Sequence, residues 1–368
     1  MKKILVAASI AMLWASGVYA AGTAAGSSID NNATLTYSVG GVAQTPSIAS
    51  NTDTFVVDNK IDMIVAHSNN NIIEVVPGAT AQVLTFQVRN TGNKVQDYDL
   101  TAVLNDGNPF GETDNFDATN VTVCVDSNGN GACDAGEPDY IDELSPDTNA
   151  TVLIVADIPA SRVDGDVSEH TLVVQVAEGG TSGTQGANIT GDSNGRGDGT
   201  DAADDPLVEQ IVFADGDGNG GQDGANDGKY ADYDAYKVVT ATLDLTKTSC
   251  VYDDPVNGKS NPKRIPGATI IYMFDINNTG SADATDITIK DTLQGDLDGT
   301  TVKADSTGSA DNVNVETNAT SCSCSDGNDN SSGSEVADSD NDNQKIQVDG
   351  VTVGAQRHTC VSFQVDIK

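Results

Sequence analysis

One twelve-residue stretch sets oxygen-bearing side chains at the intervals that a hard divalent cation needs. Asp126, Asn128 and Asn130 stand at alternate positions, Gly131 follows, and Glu137 closes the run. The stretch satisfies D-x-[DN]-x-[DN]-G-x5-E at every specified position. Calcium takes about six to eight oxygens. The three side chains, the Ala132 carbonyl and a bidentate Glu137 supply them, with Asp134 reaching the ion through water. The flanks are not helical: Val121, Thr122 and Val123 read as strand, and Pro138 follows at once. The expectation is a calcium loop inserted in a β-domain and stapled by Cys124 to Cys133, nine residues further on.

A second run offers Asp215, Asp217, Asn219 and Asp223, but its twelfth position is Asn226, so Asp227 must shift in as the last ligand. A third offers Asp338, Asp340, Asp342 and Asp349 and lacks the turn glycine. Other matches carry less. Gly191-Asp192-Ser193-Asn194-Gly195 spells G-x-S-x-G, but a nucleophile elbow needs a buried strand before it and a helix after it, and both flanks here are polar. Arg196-Gly197-Asp198 is an adhesion tripeptide of a kind that arises by chance. His67, His170 and His358 stand singly. Nothing else supports catalysis, and the chain reads as a non-enzyme.

Charge and composition narrow the class. The 368 residues carry 55 acids against 18 bases, a formal −37, and the acids are 46 Asp and 9 Glu. Asp favours caps and turns where Glu favours helix, so this balance argues against helical folds. The sign of the charge opposes nucleic-acid binding, which needs clustered Lys and Arg. Residues 1–20 read as a secretory signal: Lys2 and Lys3, an apolar run from Ile4 to Trp14, then Val18-Tyr19-Ala20. No later segment is apolar enough to span a bilayer. Six cysteines fit an oxidising compartment. Cys250, Cys322, Cys324 and Cys360 allow three pairings; Cys322 and Cys324 are too close for an easy mutual bridge, so each reaches for Cys250 or Cys360.

The elements that must hold these loops are strands. Apolar residues alternate at Ala33, Leu35, Tyr37 and Val39; at Leu84, Phe86 and Val88; at Ile270, Tyr272, Phe274 and Ile276; and at Val361, Phe363, Val365 and Ile367. A block also repeats. Pro77-Gly78-Ala79-Thr80, a strand and Asn90-Thr91-Gly92 match Pro266-Gly267-Ala268-Thr269, a strand and Asn278-Thr279-Gly280. Strands at 61–66 and 242–247 precede the copies, and strands at 98–104 and 287–289 follow them. The Asn-Thr-Gly step reads as a tight turn in which Gly supplies a positive φ.

This block resembles the conserved-repeat domain of bacterial and archaeal surface proteins, catalogued as domain of unknown function eleven. The second copy, through Asp291-Thr292-Leu293, is the closer match, and the first is looser after Gly92. The segment from Ile29 to Asp58 also resembles stretches that precede such domains in secreted proteobacterial proteins, which implies a Gram-negative source. The resemblance covers about half of the chain beyond the leader. It implies immunoglobulin-like sandwiches used as extracellular structural modules and supplies no catalytic residues.

The resulting expectation is all-β: an N-terminal strand arm at 21–60, a β-sandwich domain with calcium loops at 61–236, and a second sandwich at 237–368, with long acidic Gly/Asp-rich loops. The expected role is a secreted, calcium-stabilised structural protein of the cell surface or biofilm matrix. It would be a filament subunit that self-associates by β-strand addition or binds other matrix components. The alternative is an adhesin or binding module that recognises a surface, polysaccharide or protein through loops such as 181–205 or 296–345.

Overall fold

In the computed structural model the described residues are 22–68, 71–105, 107–190, 204–293, 297–303, 313–324, 334–336 and 345–368. The secretory-signal segment, the G-x-S-x-G match and the adhesion tripeptide lie outside them. Strands make up nearly all the regular structure, and the one helical element among the described residues is a single turn at Pro109–Gly111. The chain divides into two compact units. One comprises Met1–Ile73, Thr80–Ile158 and Val167–Tyr236; the other comprises Glu74–Ala79, Pro159–Asp166 and Lys237–Lys368.

In the first unit, Thr119–Val125, Asn149–Asp157, Gln82–Asn90 and Met63–His67 form one sheet in that order. A facing sheet carries Tyr140–Leu144, Gln96–Asn105, Val167–Glu178 and Lys229–Val238. Period-two alternation buries one face of each strand. Leu84, Phe86, Val88, Val152 and Ile154 contribute from one sheet, and Tyr98, Leu100, Leu172, Val174 and Val176 from the other. The buried Tyr236 hydroxyl donates to the Gln82 carbonyl at 2.8 Å, tying one sheet to its partner.

The second unit repeats the plan. Leu243–Asp253, Thr269–Asn278 and Arg357–Ile367 run side by side, and Leu297–Lys303 and Val313–Ala319 both pair with Arg357–Ile367. Ala284–Thr292, Lys345–Val353 and Ser334–Val336 form the facing sheet. Its core interleaves Ile270, Phe274, Val361 and Phe363 with Ile289, Val348, Val351 and Val353.

The repeated block has a different geometry from the tight turn expected of it. Gln82–Asn90 and Gln96–Asn105 lie in opposite sheets, as do Thr269–Asn278 and Ala284–Thr292. Asn-Thr-Gly is therefore an arch between sheets, and neither Gly92 nor Gly280 has a positive φ. Glycine is required there by close approach. A Cβ at Gly92 would stand 2.4 Å from the Lys60 carbonyl, and one at Gly280 2.1 Å from that of Thr240. The asparagines pin the arch from inside. Asn90 Nδ2 donates to the carbonyls of Lys94 and Leu144 while its Oδ1 accepts the Gly92 N–H. Asn278 bonds Ala282, Gly354 and the Gly280 N–H in the same way. Positive φ belongs instead to Gly78 (80°) and Gly267 (83°), where Pro-Gly makes a turn closed by the Ala79 and Ala268 N–H groups.

The arm folds back on itself. Ser28–Asn31 pairs with Asp53–Val56, Thr34–Leu35 with Ile48–Ala49, and Ser38–Val39 with Val42–Ala43, all antiparallel. Gly40 and Gly41, both at positive φ, make its tip. The alternating residues are not buried: Leu35 is 56% exposed, Tyr37 46%, Val39 62%, Val42 65% and Ile48 53%. At its root Asn59–Ile61 runs parallel to Ile211–Phe213. Asn93 fastens the same region, its Oδ1 accepting the Lys60 N–H and its Nδ2 donating to the Asp58 carbonyl.

The structure pairs Cys124 with Cys133, Cys250 with Cys324, and Cys322 with Cys360. The last two bridges anchor the Cys322-Ser323-Cys324 segment to two strands of one sheet, Leu243–Asp253 and Arg357–Ile367.

Candidate metal centre

The loop at 126–137 joins Thr119–Val125 to Tyr140–Leu144, and the Cys124–Cys133 bridge ties its middle to the preceding strand. Its acidic groups turn inward onto the loop's own backbone. Asp126 Oδ1 accepts the N–H groups of Gly129 (2.8 Å) and Asn130 (3.1 Å), and its Oδ2 accepts that of Gly131 (3.0 Å). Glu137 accepts the N–H groups of Ser127 (3.0 Å) and Asp134 (3.1 Å). Asp134 Oδ2 accepts the side-chain amides of Asn128 (2.9 Å) and Asn130 (2.6 Å). Gly129 and Gly131 take the positive φ that so tight a coil needs, 75° and 76°. The structure thus links Asp126, Asn128, Asn130, Asp134 and Glu137 in one partly exposed ring of hydrogen bonds, whose three carboxylates do not all lie within 4.8 Å of one another. The donor set is all hard oxygen, the chemistry that suits calcium, with ring N–H groups on the carboxylates.

The loop at 214–228 joins Ile211–Phe213 to Lys229–Val238 and is more deeply set. Asp215 is 2% exposed, and burial pushes its carboxyl above the usual carboxylate range. Its Oδ2 accepts the N–H groups of Asp227 (3.1 Å) and Gly228 (3.2 Å). Asp223 Oδ2 accepts those of Gly218 (2.8 Å) and Ala231 (3.0 Å). The other oxygen of each, Asp215 Oδ1 and Asp223 Oδ1, is buried with no hydrogen-bond partner among the described residues. Asp227 accepts the N–H groups of Lys229 and Gly224, and Asn219 donates to Asp232. Among the described residues no hydrogen bond brings Asp217 into this group, although its charge acts with those of Asp232 and Asp223 on Tyr230. Of the third run, Asp338, Asp340 and Asp342 lie outside the described residues. Asp349 sits in Lys345–Val353, where bonds from Thr288 and Gln347 hold its carboxyl below the ordinary range.

Three ligand-bearing groups converge within 4.8 Å at two places among the described residues, both outside the expected loops. Asp275, Cys322 and His358 offer no thiolate, because Cys322 is bridged to Cys360, and His358 Nδ1 lies 2.6 Å from Asp275. Asp97, Asp142 and Glu143 form the other. Here a following loop brings N–H groups to the carboxylates: Gly186 to Asp97, Gly183 to Asp142, and Gly180 and Thr181 to Glu143. Asp97 and the Asp142-Glu143 pair are distant in sequence and meet through pairing of Gln96–Asn105 with Tyr140–Leu144. Among 46 Asp residues no spacing marks them.

A cavity of about 390 Å³ is lined by Asn105, Gly107, Asn108, Glu169, Gly220 and Tyr233. Burial raises the Glu169 carboxyl above its ordinary range. Beside Tyr233, His67 stacks on the ring at 6.4 Å and bonds Asp232 through Nδ1 at 2.7 Å, while Phe110 meets both edge-on. His170 lies within the sandwich, fully buried, and burial lowers its imidazole to about 4.

No protein-family model matches the chain, and no curated protein does. Among solved structures, the C-terminal domain of the Streptococcus agalactiae AgI/II polypeptide BspA is similar over 84% of this chain and 91% of its own, at 8% identity and a TM-score of 0.28. A putative membrane-anchored protein from Corynebacterium diphtheriae is similar over 93% and 89%, at 12% identity and a TM-score of 0.19. Both sources are Gram-positive, so neither supports the Gram-negative origin expected from the arm. At these scores neither likeness defines a shared fold or carries an argument about role.

Proposed function

We propose that the chain is an exported, calcium-stabilised structural protein of a bacterial surface or extracellular matrix, and that it self-associates through its arm into filaments. The observation that carries this reading is the arm. A lone two-stranded ribbon is marginal in water. This one nonetheless displays Leu35, Tyr37, Val39, Val42 and Ile48 to solvent. Contiguous exposed apolar residues mark an interaction surface, and the arm's two-stranded sheets leave outer edges where another chain's strand can add. The acidic loops add the second element. Calcium in the 126–137 ring would take the place of backbone N–H groups at Asp126 and Glu137.

The test is negative-stain electron microscopy of the purified chain in millimolar calcium and in chelator. Fibres in calcium that fray in chelator support the reading. Separate particles in both conditions reject it. The doubly substituted Leu35→Asp, Val39→Asp chain should lose fibres while keeping its melting temperature within about 1 °C, since neither residue is buried. Fibres unchanged by that pair of substitutions would remove the arm from the mechanism.

The cavity beside Tyr233 favours a second reading, a binding module for a polar ligand such as a saccharide, with an aromatic face and a buried carboxyl at one mouth. Tyr233→Ala should then abolish retention on immobilised polysaccharide without altering assembly.

A further inference from the structure

The loop at 214–228 holds two features that its own chain leaves unresolved. Asp215 is 2% exposed, and its carboxyl lies inside a loop that its main-chain carbonyl closes onto the Asn226 N–H at 3.0 Å. One carboxyl oxygen bonds two N–H groups; the other, Oδ1, has no partner among the described residues. Asp223 repeats the arrangement, with Oδ2 on the N–H groups of Gly218 and Ala231 and a buried, unpartnered Oδ1. An unmet carboxylate oxygen inside a protein is costly, and each of the two asks for a positive partner. The lysine of this stretch, Lys229, offers its backbone N–H to Asp227. Residues 215–228 themselves offer carboxylate, amide and carbonyl oxygens and include no His or Cys, which selects calcium over zinc or copper.

The loop also abuts the root of the arm. Ile211–Phe213, which leads straight into it, runs parallel to Asn59–Ile61. The Ala214 N–H bonds the Ile61 carbonyl at 2.8 Å, the Asn59 N–H bonds the Gln210 carbonyl at 2.8 Å, and the Gln210 N–H bonds Asp58 Oδ1 at 2.9 Å. At the far end Gly228 packs so tightly that a Cβ there would stand 2.5 Å from the Phe213 ring. Closing the loop therefore fixes the strand that grips the arm.

We propose that calcium draws residues 215–227 together, engaging the unmet Asp215 Oδ1 and Asp223 Oδ1 with Asp227, three carboxylates that do not all lie within 4.8 Å of one another in the structure, and that the bound ion locks the root of the arm to Ile211–Phe213. The ion acts as a clamp: the arm is held for assembly only where calcium is abundant. This rests on the arm-mediated assembly argued above and extends it to regulation.

The test is hydrogen exchange on the full chain, following the amides of Asn59–Ile61 and Ile211–Phe213 in millimolar calcium chloride and in chelator. Calcium should slow their exchange at least tenfold. Asp215→Asn, which keeps the acceptor and loses the charge, should abolish that slowing, and so should Asp223→Asn. Glu137→Gln, in the other loop, should leave it intact. Terbium supplies an independent readout, because the Tyr230 ring lies beside Gly216 and Gly218 and can sensitise it. Tyrosine-sensitised emission should fall in Asp215→Asn and persist in Glu137→Gln. Equal exchange with and without calcium overturns the clamp, as does an Asp215→Asn and Asp223→Asn pair that both retain the slowing. Fibres that persist with no exchange effect would remove the clamp and leave assembly standing. An exchange effect without fibres would do the reverse.

Discussion

Asn90 and Asn278 do the same work in the two sandwiches, each buried to within 1% and each bonding the chain on both sides of an inter-sheet arch. Their glycine partners tolerate no side chain. Gly92→Ala and Gly280→Ala should each cost about 1–3 kcal/mol or more, since the obstacle is a carbonyl of the main chain and not a movable side chain. Urea melts would show it, and a loss under about 0.5 kcal/mol would mean the arch relaxes. His170 gives a pH signature. Its folded value, about 4, is below the unfolded 6.5, so the unfolded chain takes the proton first. Stability from this group is therefore full above pH 6.5 and is lost as pH falls toward 4, by on the order of 3 kcal/mol. His170→Phe should flatten that part of the profile, and an unchanged slope would contradict the assignment.

At the scale of elements, much was legible in the sequence. The alternations at Leu84 to Val88, Ile270 to Ile276 and Val361 to Ile367 all become strands with a core-facing side, because period-two burial writes itself directly into residue order. The repeated block located equivalent strands in both units. What it hid was where the chain goes after Gly92 and Gly280: a hairpin and an arch share their residues, and the difference lies in which carbonyl passes overhead. The arm's alternation likewise announced strands but not that the apolar side would stay in water. At the acidic loops, spacing marked 126–137 and 215–227 but not that Asp215 Oδ1 and Asp223 Oδ1 would be buried without a partner among the described residues. Burial of an unmet oxygen is a tertiary property that local spacing does not encode. The Asp97, Asp142 and Glu143 group was invisible for the same reason.

For the whole molecule, the formal charge of −37 opposes compaction and should make stability depend on ions. Calcium bound only by the folded chain would add about 2.7 kcal/mol per site at a hundredfold excess over its dissociation constant. For units of this size that corresponds to roughly 5–10 °C. Sodium chloride at matched ionic strength screens repulsion without filling a site. Calorimetry should therefore show calcium raising the melting temperature well beyond the salt control, and equal shifts would reduce the loops to plain acidic surface.

Arg357–Ile367 is not at the margin of its sheet: it lies between Thr269–Asn278 and the strands Leu297–Lys303 and Val313–Ala319. The register joins Thr269 to Asp366. During synthesis the second sandwich must therefore wait, with Thr269–Asn278 paired to Leu243–Asp253 on one side only, until residue 366 has emerged. A product cut short before Arg357 would carry an open sheet edge and an unbridged Cys322, one inviting pairing with other chains and the other disulfide exchange.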